Sequence, residues 1–252
     1  MKTLKKDHWL YNKISPKNSA ELFYKGSLKK ISENSPKVAI IGSRKLTFYT
    51  QEVFPYLMTF LKKINATIVS GGALGVDILA HKNALDYGLA NISFLASPLN
   101  NITPKENQLV LDQVSKNGIL LSTQAPFINP KKYMFLDRNK MLVGLADIII
   151  IPQAQLKSGT LKTGEYALSK NKPVFVLPAR IFDVPFMGNL ELIRKGAHVL
   201  GDFRDLLLHK PILHLYDKYL EKHVEPLRPR VKNSHKFNSI QIIDKLTDQI
   251  GL

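Results

Sequence analysis

From Lys37 onward the chain alternates short apolar runs with longer amphipathic stretches. Val38–Ile41, Thr67–Val69, Ile92–Leu95, Ile119–Leu121, Ile148–Ile151 and Val174–Leu177 are rich in β-branched residues and bounded by Gly, Ser or Pro. Runs that are apolar at every position have no solvated face, so they predict strands buried on both sides. Between them, Glu52–Lys63, Gly75–Tyr87, Lys105–Lys116, Asp137–Leu145 and Leu161–Lys170 carry apolar residues at helical spacing. Strands that alternate with helices in this way predict an α/β fold over residues 37–208. Its architecture is a doubly wound, mostly parallel, Rossmann-like sheet with helices on both faces.

The flanks break the pattern. Residues 1–37 hold nine Lys against three acids, with Pro16 and Pro36 as breaks. Residues 1–36 therefore read as a basic amino-terminal arm with one short helix around Ala20–Lys25. Residues 209–252 contain Pro211, Pro226 and Pro229, then the apolar and basic run Ile240–Ile250. That stretch is too short for a second core and reads as a linker with a short helical tail.

Charge narrows the partners. Lys and Arg total 36 against 20 Asp and Glu, a formal net charge of +16, which suits nucleic acid, an acidic membrane surface or an acidic protein. Cysteine is absent, which excludes disulfides and thiolate metal sites and fits a reducing cytoplasm. Met1 to Ser15 lacks the apolar stretch of a secretory signal, and the apolar runs are of strand length, so no membrane partner is expected.

In an open parallel sheet, ligands bind beyond the carboxyl ends of the strands, near the reversal of strand order. Three loops placed there have the chemistry of anion sites. They are Gly42-Ser43-Arg44, Ser70-Gly71-Gly72-Ala73-Leu74-Gly75 and Lys157-Ser158-Gly159-Thr160. Glycine lets backbone N–H groups approach an oxyanion, and a helix amino terminus offers unsatisfied donors. Glycine in a strand-to-helix turn can equally be plain geometry. Several such loops on one rim suit a polyanion better than a mononucleotide. Neither Gly-x-Gly-x-x-Gly nor a Gly-x-x-x-x-Gly-Lys-Ser/Thr loop occurs, so no nucleotide cofactor is expected. The run Lys131-Lys132-Tyr133-Met134-Phe135-Leu136-Asp137-Arg138-Asn139-Lys140 interleaves cations with rings. Cations that track phosphates and rings that stack on bases suit single-stranded nucleic acid. The same spacing also suits core residues with a solvated charged face. Asp77 and His81 share a helical face, as a metal pair or a structural hydrogen bond. No third ligand and no nucleophile elbow accompany them, so neither a metal site nor a catalytic residue is expected.

Five motifs occur in order: Val38-Ala39-Ile40-Ile41-Gly42-Ser43-Arg44, then Ser70-Gly71-Gly72-Ala73-x-Gly75-x-Asp77-x-x-Ala80-His81, Phe135-x-x-Arg138-Asn139, Ser158-Gly159-Thr160-Leu161 and Gly188-Asn189-x-x-x-Ile193-x-x-Gly196-Ala197. Together they resemble the DNA-processing protein A (DprA/Smf) family. The resemblance implies a homodimeric, Rossmann-like protein that binds single-stranded DNA in natural transformation. Such a protein protects the incoming strand and helps to load the RecA recombinase, without hydrolysis or a cofactor. It further implies a phosphate pocket of Gly42, Ser43, Arg44, Gly71, Gly72, Ser158 and Gly159, flanked by Lys157. Lys132, Phe135, Arg138 and Asn139 would lie along the strand path. Thr123, Gly164, Glu165 and Lys140 depart from the family pattern. The alternative is a related enzyme, the nucleotide phosphoribohydrolases once labelled lysine decarboxylases, with Gly-Gly-x-Gly-Thr-x-x-Glu. Here Thr163 stands at the position of that acid and Glu165 follows two residues later. A helix turns about 100° per residue, so Glu165 points elsewhere.

Overall fold

The computed structural model of the protein describes residues 2–14, 21–128 and 130–223. Among them, nine strands form one sheet: β1 (Lys2–Thr3), β2 (Phe23–Gly26), β3 (Lys37–Ile40), β4 (Thr67–Ser70), β5 (Ala90–Leu95), β6 (Gly118–Ser122), β7 (Ile148–Ile151), β8 (Val174–Val176) and β9 (His198–Val199). Their order is β1-β2-β6-β5-β4-β3-β7-β8-β9. Pairing is parallel from β6 to β9 and antiparallel where β2 meets β1 and β6.

Eight α-helices accompany the described strands: α1 (Trp9–Ile14), α2 (Phe48–Lys63), α3 (Val76–Asp86), α4 (Gln108–Asn117), α5 (Lys132–Leu145), α6 (Gly159–Ser169), α7 (Met187–Arg194) and α8 (Lys210–His223). Successive strand residues point to opposite faces, so each central strand feeds two cores. Ile92 and Phe94 of β5 pack with Leu142 of α5, Leu161 of α6 and Leu192 of α7. Leu95 packs on the other face with Ile78 of α3 and Leu111 of α4. The expected α/β sheet with helices on both faces is what forms. No helix among the described residues is long and apolar enough to cross a membrane.

The amino-terminal stretch needs correction. Leu4, Leu10, Tyr11, Ile14, Leu22 and Ile31 are buried in the larger core, so residues 2–14 and 21–36 are integral to the sheet domain rather than an arm. The short helix expected around Ala20–Lys25 is instead strand β2, with Phe23 paired to Ser122 and Lys25 to Leu120. The rings of Phe23 and Tyr24 suit a pleated surface more than a helix. Lys37 shows why charge misled here. Its side chain is buried, and Nζ donates to the carbonyls of Ser32 (2.7 Å), Glu33 (2.9 Å) and Ser35 (2.5 Å) beneath the Trp9 ring. Burial lowers its pKa to about 8.

The sheet and its helices form one compact unit through Tyr219, and a second unit begins at Leu220. Of that second unit only the end of α8 is described, and the run Ile240–Ile250 lies outside the described residues.

Candidate nucleic-acid interface

Strand order reverses at β3. From β3 the chain crosses to β4 on one side, and from its other neighbour, β7, it crosses to β8 on the far side. The loops after β3 and β7 diverge there and leave the crevice where open α/β sheets bind ligands.

Buried amides hold both loops in place. The Ser43 N–H donates to the Gln153 carbonyl (2.8 Å), and Thr160 Oγ1 donates to the Gly42 carbonyl (2.9 Å). The buried Gln153 side chain accepts from Thr47 N–H (3.1 Å) and Thr50 Oγ1 (2.8 Å), and it donates to the Lys45 carbonyl (2.8 Å). Asn189 on α7 accepts from Ala154 N–H (2.7 Å) and donates to the carbonyls of Pro152 (3.1 Å) and Leu177 (3.0 Å). Each amide is bonded through both its oxygen and its nitrogen, mostly to backbone, and so ties the loops to one another without a ligand. Gln153 escaped the sequence reading because a single Gln after a strand carries no spacing signal.

Arg44 projects from the first loop, and its guanidinium lies 5.9 Å from the centre of the half-buried Phe135 ring on α5. That distance is within the range of a cation–π contact. Lys45 and Lys157 are also exposed, and among the described residues neither has a carboxylate within ion-pair distance. Ser158 caps α6: its Oγ accepts from Leu161 N–H (3.0 Å) and donates to the Gln155 carbonyl (2.7 Å). Gly159 opens α6, is exposed, and has no atom within 4 Å of where a Cβ would stand. Asn139 donates to Thr163 Oγ1 (2.8 Å), which ties α5 to α6. Lys132 is the first residue of α5, and its side chain lies outside the described residues.

The second glycine loop behaves differently from expectation. Asp77, on the first turn of α3, turns a buried carboxylate back into the loop. Burial raises its pKa, while the Arg138 guanidinium and the backbone N–H groups of Ala73, Gly42 and Gly71 pull it down. An internal carboxylate thus takes the Gly42 and Gly71 N–H groups, two of the donors that were expected to cradle a phosphate. Arg138 is itself buried. It donates to the Gly71 carbonyl and to the Phe94 carbonyl (2.6 Å), and it lies 3.9 Å from Asp77. Burial lowers its pKa, with Asp77 as the main compensation.

A Cβ on Gly71 would stand 2.0 Å from the Arg138 guanidinium and 2.4 Å from Asp77, which is why no side chain fits there. Gly72 takes φ +71, a backbone conformation that favours glycine, and packs against Leu95 and Ser93. The Arg138 guanidinium and the Gly71 N–H, expected along the DNA path, are thus both engaged inside the protein.

His81 Nδ1 lies 3.0 Å from the side-chain Oδ1 of Asn91, and burial pushes the ring's pKa down to about 4, so it is neutral at neutral pH. Asp77 and His81 take separate partners: Asp77 faces Arg138 and its own loop, and His81 faces Asn91. No cluster of three metal-ligating side chains occurs among the described residues. Glu165 accepts from Lys195 Nζ (2.5 Å), in an ion pair beyond the end of α7.

Residues 8–210 match the family model of DNA recombination-mediator protein A. The chain belongs to this family. The match begins well before Lys37, as the packing of α1 and β2 requires. The DNA processing protein DprA of Bacillus subtilis is 32% identical over 203 residues, covering 81% of this chain and 67% of that protein. The Streptococcus pneumoniae DprA is 33% identical over 186 residues, covering 74% and 65%. Protein Smf of Escherichia coli is 32% identical over 187 residues, covering 74% and 50%. This family member thus spans between half and about two thirds of these relatives' lengths.

Among solved structures, that of Streptococcus pneumoniae DprA superposes with a TM-score of 0.74 at 31% identity, over 82% of this chain and 73% of the other. DNA processing protein A from Helicobacter pylori, described for its single-stranded DNA binding mode, gives 0.73 at 36% identity, over 86% and 96%.

Proposed function

We propose that this family member binds single-stranded DNA across the carboxyl rim of its sheet, centred on Arg44 and Phe135. The observation that carries this reading is the Arg44 guanidinium set against the Phe135 ring where strand order reverses. A base lying on the ring keeps its phosphate within reach of the guanidinium, so two side chains serve both halves of a nucleotide. Lys157 adds charge, and the start of α6 at Ser158 and Gly159 adds backbone donors beside it. The 36% identity to a protein described for binding single-stranded DNA supports the same ligand.

The wider role is that implied by the family resemblance: protection of the incoming strand during natural transformation and help in loading RecA. A homodimer would link two rims and raise avidity through effective concentration. The chemistry is recognition without a covalent step. The pairing of Glu165 with Lys195 weighs against the phosphoribohydrolase alternative, which needs a free acid on α6.

A salt-titrated gel shift with single- and double-stranded DNA of equal length tests this reading. The wild type prefers the single strand. Arg44→Ala weakens binding to every single-stranded sequence alike and lowers the slope of log affinity against log salt by about 0.7, the value for one phosphate contact. Unchanged affinity with an unchanged slope removes Arg44 from the site.

A further inference from the structure

The parallel strands from β6 to β8 all deliver their following loops to one edge of the sheet, and those loops are lopsided in charge. Arg44, Lys45, Lys105, Lys131, Lys157 and Arg180 stand there against Glu106 and Asp183 as the acids. The same edge carries conspicuously exposed rings. Phe127 is 88% exposed and Phe182 is 82% exposed, while Phe48 at the start of α2 is 74% exposed. Phe127 and Phe182 also share a backbone conformation that bulky residues rarely adopt, with φ of +68 and +67. Each ring is presented outward from a left-handed turn instead of folding onto the core.

Phe127 follows β6 and Phe182 follows β8, on either side of the Arg44 loop. Five inter-strand steps separate those two strands, which places their ends about 24 Å apart at ~4.8 Å per step. Solvated phenyl rings in a basic surround suit a ligand that is both polyanionic and flat-faced. We propose that Phe127 and Phe182 are the outer stacking posts of an extended single-stranded DNA track. The track crosses the strands at right angles and has Arg44 and Phe135 at its middle. This inference rests on the reading of the rim as a single-strand interface and extends it to residues outside the family motifs quoted above.

Anisotropy with labelled oligothymidylates of about four and about sixteen nucleotides separates the middle of the track from its ends. The wild type binds the longer strand more tightly. Phe127→Ala and Phe182→Ala each keep the wild-type melting temperature and the short-strand affinity. Each weakens the long strand about fivefold or more, the lower bound for one stacked base. Neither changes the salt slope, because no phosphate contact is lost.

A double variant that binds the long strand like the wild type overturns the posts and leaves the Arg44 site standing. A variant that loses short- and long-strand affinity equally overturns their terminal placement. A drop in particle mass by light scattering assigns the rings to a contact between protein copies, which also overturns the track. Failure of the underlying reading looks different: the wild type shows no single-strand preference at either length, and Arg44→Ala changes nothing.

Discussion

Phe135 and Arg138 sit three residues apart on α5 and do opposite work. Phe135 is half-buried at the rim with Arg44 over its ring, whereas Arg138 is buried and bonded to two carbonyls and a carboxylate. Phe135→Ala is expected to lower single-strand affinity roughly ten- to a hundredfold, the range for losing one base stack. Its melting loss should fall well short of that of a core phenylalanine. Arg138→Ala leaves Asp77 as an unpaired buried charge and should cost about 3–5 kcal/mol of folding stability. Urea titration and strand binding on the same preparations check both variants. A stable Arg138→Ala protein with weakened DNA binding would return Arg138 to the strand path.

At the scale of elements, helices α2, α5 and α6 begin earlier than periodicity alone suggests, whereas α3 and α4 begin slightly later. Helix α2 starts at Phe48 because Thr47 Oγ1 accepts from Thr50 N–H (3.2 Å), a cap that the sequence displays but apolar spacing does not register. Helix α5 starts at Lys132, so nearly all of the basic and aromatic run lies inside the helix rather than leading into it. The amino-terminal elements matter most for stability. Leu4, Leu10, Tyr11 and Ile14 are buried against the sheet and α5. A chain beginning at Ser15 is expected to lose about 6 kcal/mol or more, from roughly 1.5–3 kcal/mol per buried side chain. Against a typical total of about 5–15 kcal/mol, that removes a large part of the stability and should lower the urea midpoint sharply. A urea midpoint unchanged by this truncation would restore the arm.

For the whole molecule, the buried His81 links stability to pH. Its folded pKa is about 4 against an ordinary value of 6.5, so the unfolded chain binds the extra proton between those values. Stability from this residue is complete above pH 6.5 and falls as the pH drops toward 4. The loss between pH 7 and pH 5 is about 2 kcal/mol, at 1.36 kcal/mol per pKa unit. Chemical denaturation across this range should show the decline, and His81→Gln should flatten it. A wild-type profile no steeper than that of the variant would show that His81 does not set the acid limit.

The sequence by itself determined the six central strands, the helices between them and the order of the motif loops. These features depend on residues near one another in the chain, where periodicity, caps and glycine positions act directly. It also placed the loops of Arg44 and of Ser158 and Gly159 on one rim, because strand order brings them together, while Phe135 joined them only through the family resemblance. Only the tertiary structure decided which way each loop faces. Gly42 and Gly71 read as parts of a phosphate cradle until Asp77 is seen to hold their N–H groups from within. Arg138 reads as a DNA contact until its guanidinium is seen beneath Gly71 and Phe94. The docking of residues 2–14 onto the core is likewise invisible in a stretch whose charge outweighs its scattered apolar residues. For Arg138 and for residues 2–14 the deciding partner is distant in sequence, and even for Asp77, which is close by, a buried charge is defined by what packs over it rather than by its neighbours along the chain.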